Sequence, residues 1–395
     1  MILLAILLAA MDAREGSGTS WRPDDAPMYA VHAMPGDWMV MLHWSVLAGY
    51  DDQWSAQGSR RATSVNWIMG MASHPLLGGE VELRSMLSLE PLTAGGPTQL
   101  PLLLQTGETY GGTPLHDRQH PHDLFMEVAA IWRRPLAGEV NLELYAAPSG
   151  EPALGPTAFM HRASSMVDPF PPIGHHWQDS THISFPVLTA GLYTGALKLE
   201  ASAFHGREPD ENRWDLDFGA LDSWSARLAA NPSRALSLQV SYGYLHSPEA
   251  LRPDESEHRF TASAQYAGGP LSATAVYGRN AAAVSTNSLL GELELDLDGG
   301  NTPFARLEWV QKPADELAVP GNAVYDVGMA VVGFAHRFEP IGPVSPLIGI
   351  AADVGLVPGS LEARYGTRTP AGLFVYLGLQ PPRMQMHHMH HMEMQ

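Results

Sequence analysis

Cysteine is absent from the 395 residues. That removes disulfides, thiolate metal sites and cysteine nucleophiles, and it suits an oxidising compartment where a stray thiol is a liability. Positive charge is scarce too: 23 Lys and Arg stand against 42 Asp and Glu, a net charge of −19. A nucleic-acid binder needs basic patches to neutralise phosphates, so no nucleic-acid partner is expected. No apolar run reaches the ~20 residues of a membrane helix. The apolar stretch from Met1 to Ala10 is shorter and matches the core of a secretory signal. Residues 1–13 are therefore read as a signal peptide with a truncated start. Catalytic signatures are missing as well: there is no G-x-S-x-G, no P-loop and no G-x-G-x-x-G at a strand-to-helix turn.

What the chain does have is period-2 alternation. Leu236, Leu238, Val240, Tyr242 and Tyr244 alternate with Ser237, Gln239, Ser241 and Gly243. Leu293, Leu295 and Leu297 alternate with Glu292, Glu294 and Asp296. Such runs are half-buried strands. They fall at 38–50, 62–73, 79–90, 123–133, 138–147, 181–190, 193–205, 222–231, 235–246, 257–267, 270–279, 288–297, 302–311, 324–338, 344–355 and 370–379. Connections alternate between short turns, such as Gly268-Gly269, and long loops at 91–122, 148–180, 206–221, 247–256, 280–287, 312–323 and 356–369.

An even strand number with short turns on one side and long loops on the other is the pattern of an outer-membrane barrel. The expected fold is all-β: a single transmembrane antiparallel β-barrel of about sixteen strands, with short periplasmic turns and long outer loops. Its lipid face is apolar and its lumen polar. A soluble sandwich or lipocalin-like barrel fits less well, because most strands carry a small or charged second face. Residues 14–37 read as a periplasmic N-terminal arm, 38–380 as the barrel and 381–395 as a periplasmic tail. The partners implied are outer-membrane lipid and metal ions.

Three constellations carry possible chemistry. His116, Asp117, Arg118, His120, His122 and Asp123 place three imidazoles and two carboxylates in eight residues. Imidazole is the commonest protein metal ligand. Pro121 disfavours helix, so this is read as a loop. One ion would take His116 with His120, or His122 with Asp123. The second constellation is His161, Met166, His175, His176, Asp179 and His182, around the extended Asp168-Pro-Phe-Pro-Pro-Ile-Gly174. So long a loop is usually functional. These two stretches hold seven of the eighteen histidines and would meet if both fold inward.

The third constellation is the tail. Met384, Met386, His387, His388, Met389, His390, His391, Met392 and Met394 supply five thioethers and four imidazoles. Thioethers suit Cu(I) and imidazoles Cu(II). Met39, Met41, His43 and Arg118 are expected to line the lumen.

The alternating strands with a Met/His-rich terminal tract resemble the outer-membrane barrels called copper resistance protein B. In that family the tract precedes the barrel, whereas here it follows. Leu103-Leu-Gln-Thr-Gly-Glu-Thr109, Asp117-Arg-Gln-His-Pro-His-Asp-Leu-Phe-Met-Glu127, Phe159-Met-His-Arg162 and His175-His-Trp-Gln-Asp-Ser-Thr-His182 are similar to uncharacterised bacterial envelope proteins associated with heavy-metal handling. This second resemblance implies a family but no established activity. The function expected from the residues is a barrel that binds copper (Cu(I) or Cu(II)) or a similar soft ion, with permeation or efflux assistance as a further role and periplasmic metal carriers as further partners. The alternative is a general or solute-specific porin whose histidines are incidental. An outer-membrane hydrolase is a lesser alternative, since no spacing selects a catalytic set of Ser and His.

Overall fold

The computed structural model describes residues 14–250 and 252–384. The signal-like residues 1–13 and the tail from Gln385 onward lie outside them. The strands are β1 (Val31–Ala33), β2 (Met39–Trp54), β3 (Arg60–Leu76), β4 (Gly79–Leu87), β5 (Leu100–Tyr110), β6 (Thr113–Gln119), β7 (Phe125–Ala137), β8 (Val140–Ser149), β9 (Val187–Tyr193), β10 (Leu197–Phe204), β11 (Ser223–Ser233), β12 (Leu236–Leu245), β13 (Glu257–Gly268), β14 (Leu271–Ala281), β15 (Ser285–Leu295), β16 (Asn301–Pro313), β17 (Val324–Arg337), β18 (Ser345–Leu356) and β19 (Ala371–Gln380). Among the described residues sixteen of these form one closed antiparallel barrel, running β2, β3, β4 and β7 to β19, with β19 paired back to β2. β1 adds a short pairing to β2, and β5 and β6 form a separate hairpin.

The alternation decides which side each residue faces. On β12, Leu238, Val240 and Tyr242 are about two-fifths exposed and point outward, while Ser237, Gln239 and Ser241 are buried inside. The same division recurs around the wall, giving an apolar outer belt. Closure leaves no unpaired edge, which is what allows a sheet to sit in hydrocarbon.

Over β4 and β7 to β11 the inner wall is polar and carries charges that pair across strands, whereas β16 to β19 turn Phe304, Val310, Val331, Leu347 and Phe374 inward. Arg84 meets Glu82 at 2.7 Å, Glu82 meets Arg133 at 2.8 Å, and Arg133 meets Glu143 at 2.7 Å. Lys198 then bridges Glu143 at 2.6 Å and Glu200 at 3.2 Å, and Arg227 closes on Glu200 at 3.0 Å. This ladder crosses β4, β7, β8, β10 and β11. All seven side chains are nearly or fully buried.

They are buried because the lumen is filled. The expected periplasmic arm does not lie free: residues 14–30 enter the barrel at its short-turn end. Thr19 accepts from Lys198 Nζ through its carbonyl at 2.7 Å and from Arg227 through its hydroxyl at 2.9 Å. Arg84 donates to the Gly18 carbonyl at 2.8 Å, and Glu15 joins Arg133 at 3.0 Å. The polar composition that suggested an exposed arm instead matches a polar lumen wall.

Other expectations need revision. The loop 91–122 contains the β5–β6 hairpin, whose Leu102, Leu103 and Leu104 are buried inside the barrel. His116 to Gln119 is therefore strand and not loop. The strand expected at 181–190 starts at Val187, because the preceding residues belong to an inserted segment. The connection expected at 280–287 shrinks to residues 282–284. Trp67 and Tyr376 are buried on the lumen face. Tyr376 donates to the Val167 carbonyl, and Gly349 makes room for it: a Cβ there would stand 2.2 Å from Tyr376 Cζ.

A charge on the outer belt tests this orientation. Val240→Arg, near mid-strand, is expected to destabilise the barrel by about 2–4 kcal/mol, the range for Arg at the bilayer midplane. Denaturant titration in lipid vesicles measures it, and an unchanged midpoint would contradict a lipid-facing Val240.

Candidate functional site

The centre of the barrel is occupied by the segment between β8 and β9. Pro169, Pro171 and Pro172 deny it helix and ladder hydrogen bonding, so the wall must satisfy its backbone. Arg306 donates to the carbonyls of Phe170 at 2.9 Å and Pro171 at 3.2 Å and pairs with Asp168 at 3.0 Å. Glu308 accepts from the Gly174 N–H at 3.0 Å. Arg162, fully buried, reaches Glu292 at 2.8 Å and Asp179 at 3.5 Å. Gly278 is required by the close approach of this segment, since a Cβ would sit 2.3 Å from the Trp177 carbonyl oxygen.

The two histidine stretches do meet. His122, His175 and His182 form one cluster, with ring centres 5.3 Å (His122–His182) and 5.0 Å (His175–His182) apart, and Phe159 packs against all three. Each ring is oriented through Nδ1. His122 Nδ1 meets Glu90 at 2.8 Å, His175 Nδ1 meets Asp179 at 2.7 Å, and His182 Nδ1 meets the Asp179 carbonyl at 2.8 Å. His182 Nε2 is left buried without a hydrogen-bond partner among the described residues. Carboxylate or carbonyl engagement of Nδ1 is the usual support of a metal-binding imidazole. His176 is beside His175, its ring centre 5.8 Å away.

The electrostatics follow from burial. Burial pushes the imidazoles of His120 and His182 well below their ordinary pKa, and at His120 the Arg213 guanidinium adds to it. Burial and then His175 lower His176 to about 3. At His122 burial also disfavours the cation, but the Glu90 carboxylate outweighs it and raises the pKa. Burial opposes ionisation of Asp179, yet His175 and Arg162 hold its carboxyl down to about 2. His182 thus stays neutral at neutral pH, the form that ligates a metal.

Other expected ligands go elsewhere. His116 turns its Nδ1 to the Glu316 carbonyl at 3.0 Å, and His120 accepts from the Glu108 N–H at 3.3 Å. The pairing of His116 with His120 is therefore not made. Asp123 is engaged by Arg213 at 3.2 Å and does not serve as the partner of His122. Arg118 donates to the His116 carbonyl at 3.1 Å. His161 leaves the imidazole cluster and joins His43 and Trp67, with ring centres 5.8 and 4.9 Å away. Met41 and His43 are on the lumen face as expected, and Met39 is half-buried at the strand start. Of the tail's candidate ligands, Met384 alone is described. Sequence reading missed Glu90 because it was placed at a strand end. It begins a helical turn after β4, where Pro91 suits the first helical positions and the carboxyl turns inward.

No family model and no curated protein matches the chain. Solved structures do match its shape. OmpF of Salmonella typhi, in complex with daunomycin, aligns at TM-score 0.53 and 11% identity, over 89% of this chain and 100% of that one. The outer membrane channel DcaP of Acinetobacter baumannii gives 0.52 and 11%, over 89% and 100%. The anion-selective porin of Comamonas acidovorans gives 0.51 and 10%, over 86% and 99%. The barrel is thus similar in fold to outer-membrane porins and channels.

Asp179 is the hub of the inserted segment, holding His175, Arg162 and the Phe159 N–H. Asp179→Ala is expected to loosen the segment by about 3–5 kcal/mol, the cost of stranding a buried charge. Trypsin on the reconstituted protein should then cut at Arg162. Equal resistance of variant and parent would show that Asp179 is not the hub.

Proposed function

We propose that the chain is a solute-specific, porin-type channel of the outer membrane whose lumen is closed at rest. The observation that carries this reading is the filled lumen. The fold is that of porins, yet the arm, the hairpin and the central segment occupy the interior and are bonded to the wall. An open general pore has no use for three such plugs. The hairpin and the central segment pack Leu102, Leu103, Leu104, Phe170, Ile173 and Trp177 on apolar residues of the wall, while ion pairs and hydrogen bonds, which exchange with water on release, fasten the arm. Side-chain pairs of this kind suit a closure that opens when its cargo arrives.

Planar-bilayer conductance tests it. The intact protein is expected to conduct rarely and in small steps. Deletion of residues 14–30 should raise conductance severalfold, and Lys198→Met with Arg227→Met, which keep the arm but unfasten Thr19, should raise the opening frequency. A parent protein conducting as a fully open barrel would end the closed-channel reading.

The imidazole cluster favours a second reading, the handling of copper or a similar ion as cargo, passed to or from periplasmic carriers. Its support is the shared orientation of His122, His175 and His182 through Nδ1. Equilibrium dialysis against Cu(II) is expected to lose one bound ion per chain in His122→Ala/His182→Ala. Equal binding by parent and variant would leave the porin reading alone.

A further inference from the structure

One sector of the lumen wall is lined with sulfur, and the channel reading makes no use of it. In the register of β2 and β3, Met41 lies opposite Met71 and His43 opposite Met69. In the register of β3 and β4, Met69 lies opposite Met86. Alternation turns all five toward the lumen, and Met41, Met69, Met71 and Met86 are at most 6% exposed. Facing them is His161 of the central segment, whose Nε2 stands 3.4 Å from Met86 Sδ. Two ligand atoms at that spacing can share one ion. Met28 of the arm joins the same buried cluster, and Met384 packs on its edge, its N–H donating to the Met28 carbonyl at 2.8 Å.

Met28, Met41, His43, Met69, Met71 and His161 line a cavity of about 40 Å³, and Met86 reaches it through its contact with His161. It exceeds the ~10–15 Å³ that a single water requires. His43 Nε2 is buried and has no hydrogen-bond partner among the described residues. A buried imidazole nitrogen left unpaired costs free energy, so something is expected to meet it. Methionine commonly fills irregular gaps. Gap-filling alone would not place two imidazoles among four thioethers, since leucine packs as well without a polar atom to satisfy. Glu15, Arg22 and Tyr29 also line the cavity, but Glu15 is bound to Arg133, Tyr29 donates to Asp296, and the Arg22 guanidinium is a cation and no ligand. The remaining donors are neutral thioethers and imidazoles, a soft set with little charge to offer a divalent ion.

We propose that Met41, His43, Met69, Met71, Met86 and His161 form a lumenal binding site for a monovalent soft cation, Cu(I) or Ag(I). The site draws donors from the wall and from the central plug, so an ion bound there ties the plug to the wall. Met384, the first residue of the Met/His-rich sequence, packs on the edge of this cluster. The site is separate from the imidazole cluster and does not depend on whether the channel conducts.

Ag(I) is the probe, because it needs no reductant. The full-length protein is refolded in detergent and titrated against a competing chelator, with tryptophan emission followed in parallel. Trp67 is the reporter: its ring is 5.1 Å from His43 and 4.9 Å from His161. The parent is expected to bind one more Ag(I) per chain than Met41/Met69/Met71/Met86→Leu, a change that preserves apolar volume. Quenching should fall in Trp67→Phe while stoichiometry holds. His161→Gln, on the inserted segment and not in the wall, provides a second variant should the leucine barrel fail to refold, and it too should lose one Ag(I). Stoichiometry and quenching unchanged in whichever variants refold would overturn the proposal. Cu(II) binding at the imidazole cluster should be the same in all of them.

Discussion

The ion-pair ladder from Arg84 to Arg227 is the constraint on which the rest of the structure depends. Seven charges sit on the inner wall of a barrel whose outer face is hydrocarbon. Buried charges persist only when paired and hydrogen-bonded. In an open pore, water would solvate this wall. Here the arm does so, offering the carbonyls of Gly18 and Thr19 and the Glu15 carboxylate. The wall therefore selects a polar plug, and the plug in turn dries the wall. Each is stable because of the other.

The opposite wall uses the same logic with a different insert. Arg306 and Glu308 satisfy the backbone of a proline-rich segment that no regular element could accommodate. Arg162, carried on the insert, returns the arrangement by pairing with Glu292 of the wall. The same segment also packs Val167, Phe170, Ile173 and Trp177 against an apolar sector of the inner wall that includes Phe304, Val310 and Phe374.

Within this frame the two donor clusters have distinct chemistry. The imidazoles of His122, His175 and His182 are fixed by oxygen acceptors and lean toward borderline ions. The thioethers of β2, β3 and β4 offer soft donors without charge. The central segment contributes to both, through His175 and His182 at one end and His161 at the other. Whatever moves that segment changes both clusters together.

The sequence by itself determined the barrel. Side-chain alternation with a period of two is local, and a strand that must face hydrocarbon on one side has to show it, so all sixteen barrel strands were legible from the residues. The alternation also placed Met41 and His43 on the lumen face. The filling of the lumen was not legible. The arm at 14–30 and the hairpin at 100–119 carry ordinary polar or mixed composition, and their burial follows from partners far away in the chain, such as Lys198 for Thr19. The candidate sites were legible as donors but not as sets: His122 found Glu90 and His182, not Asp123, and His161 found Met86. Which donors share a cavity is fixed by strand register and loop docking, and these are decided by the closed barrel and the wall charges, which no local stretch of sequence encodes.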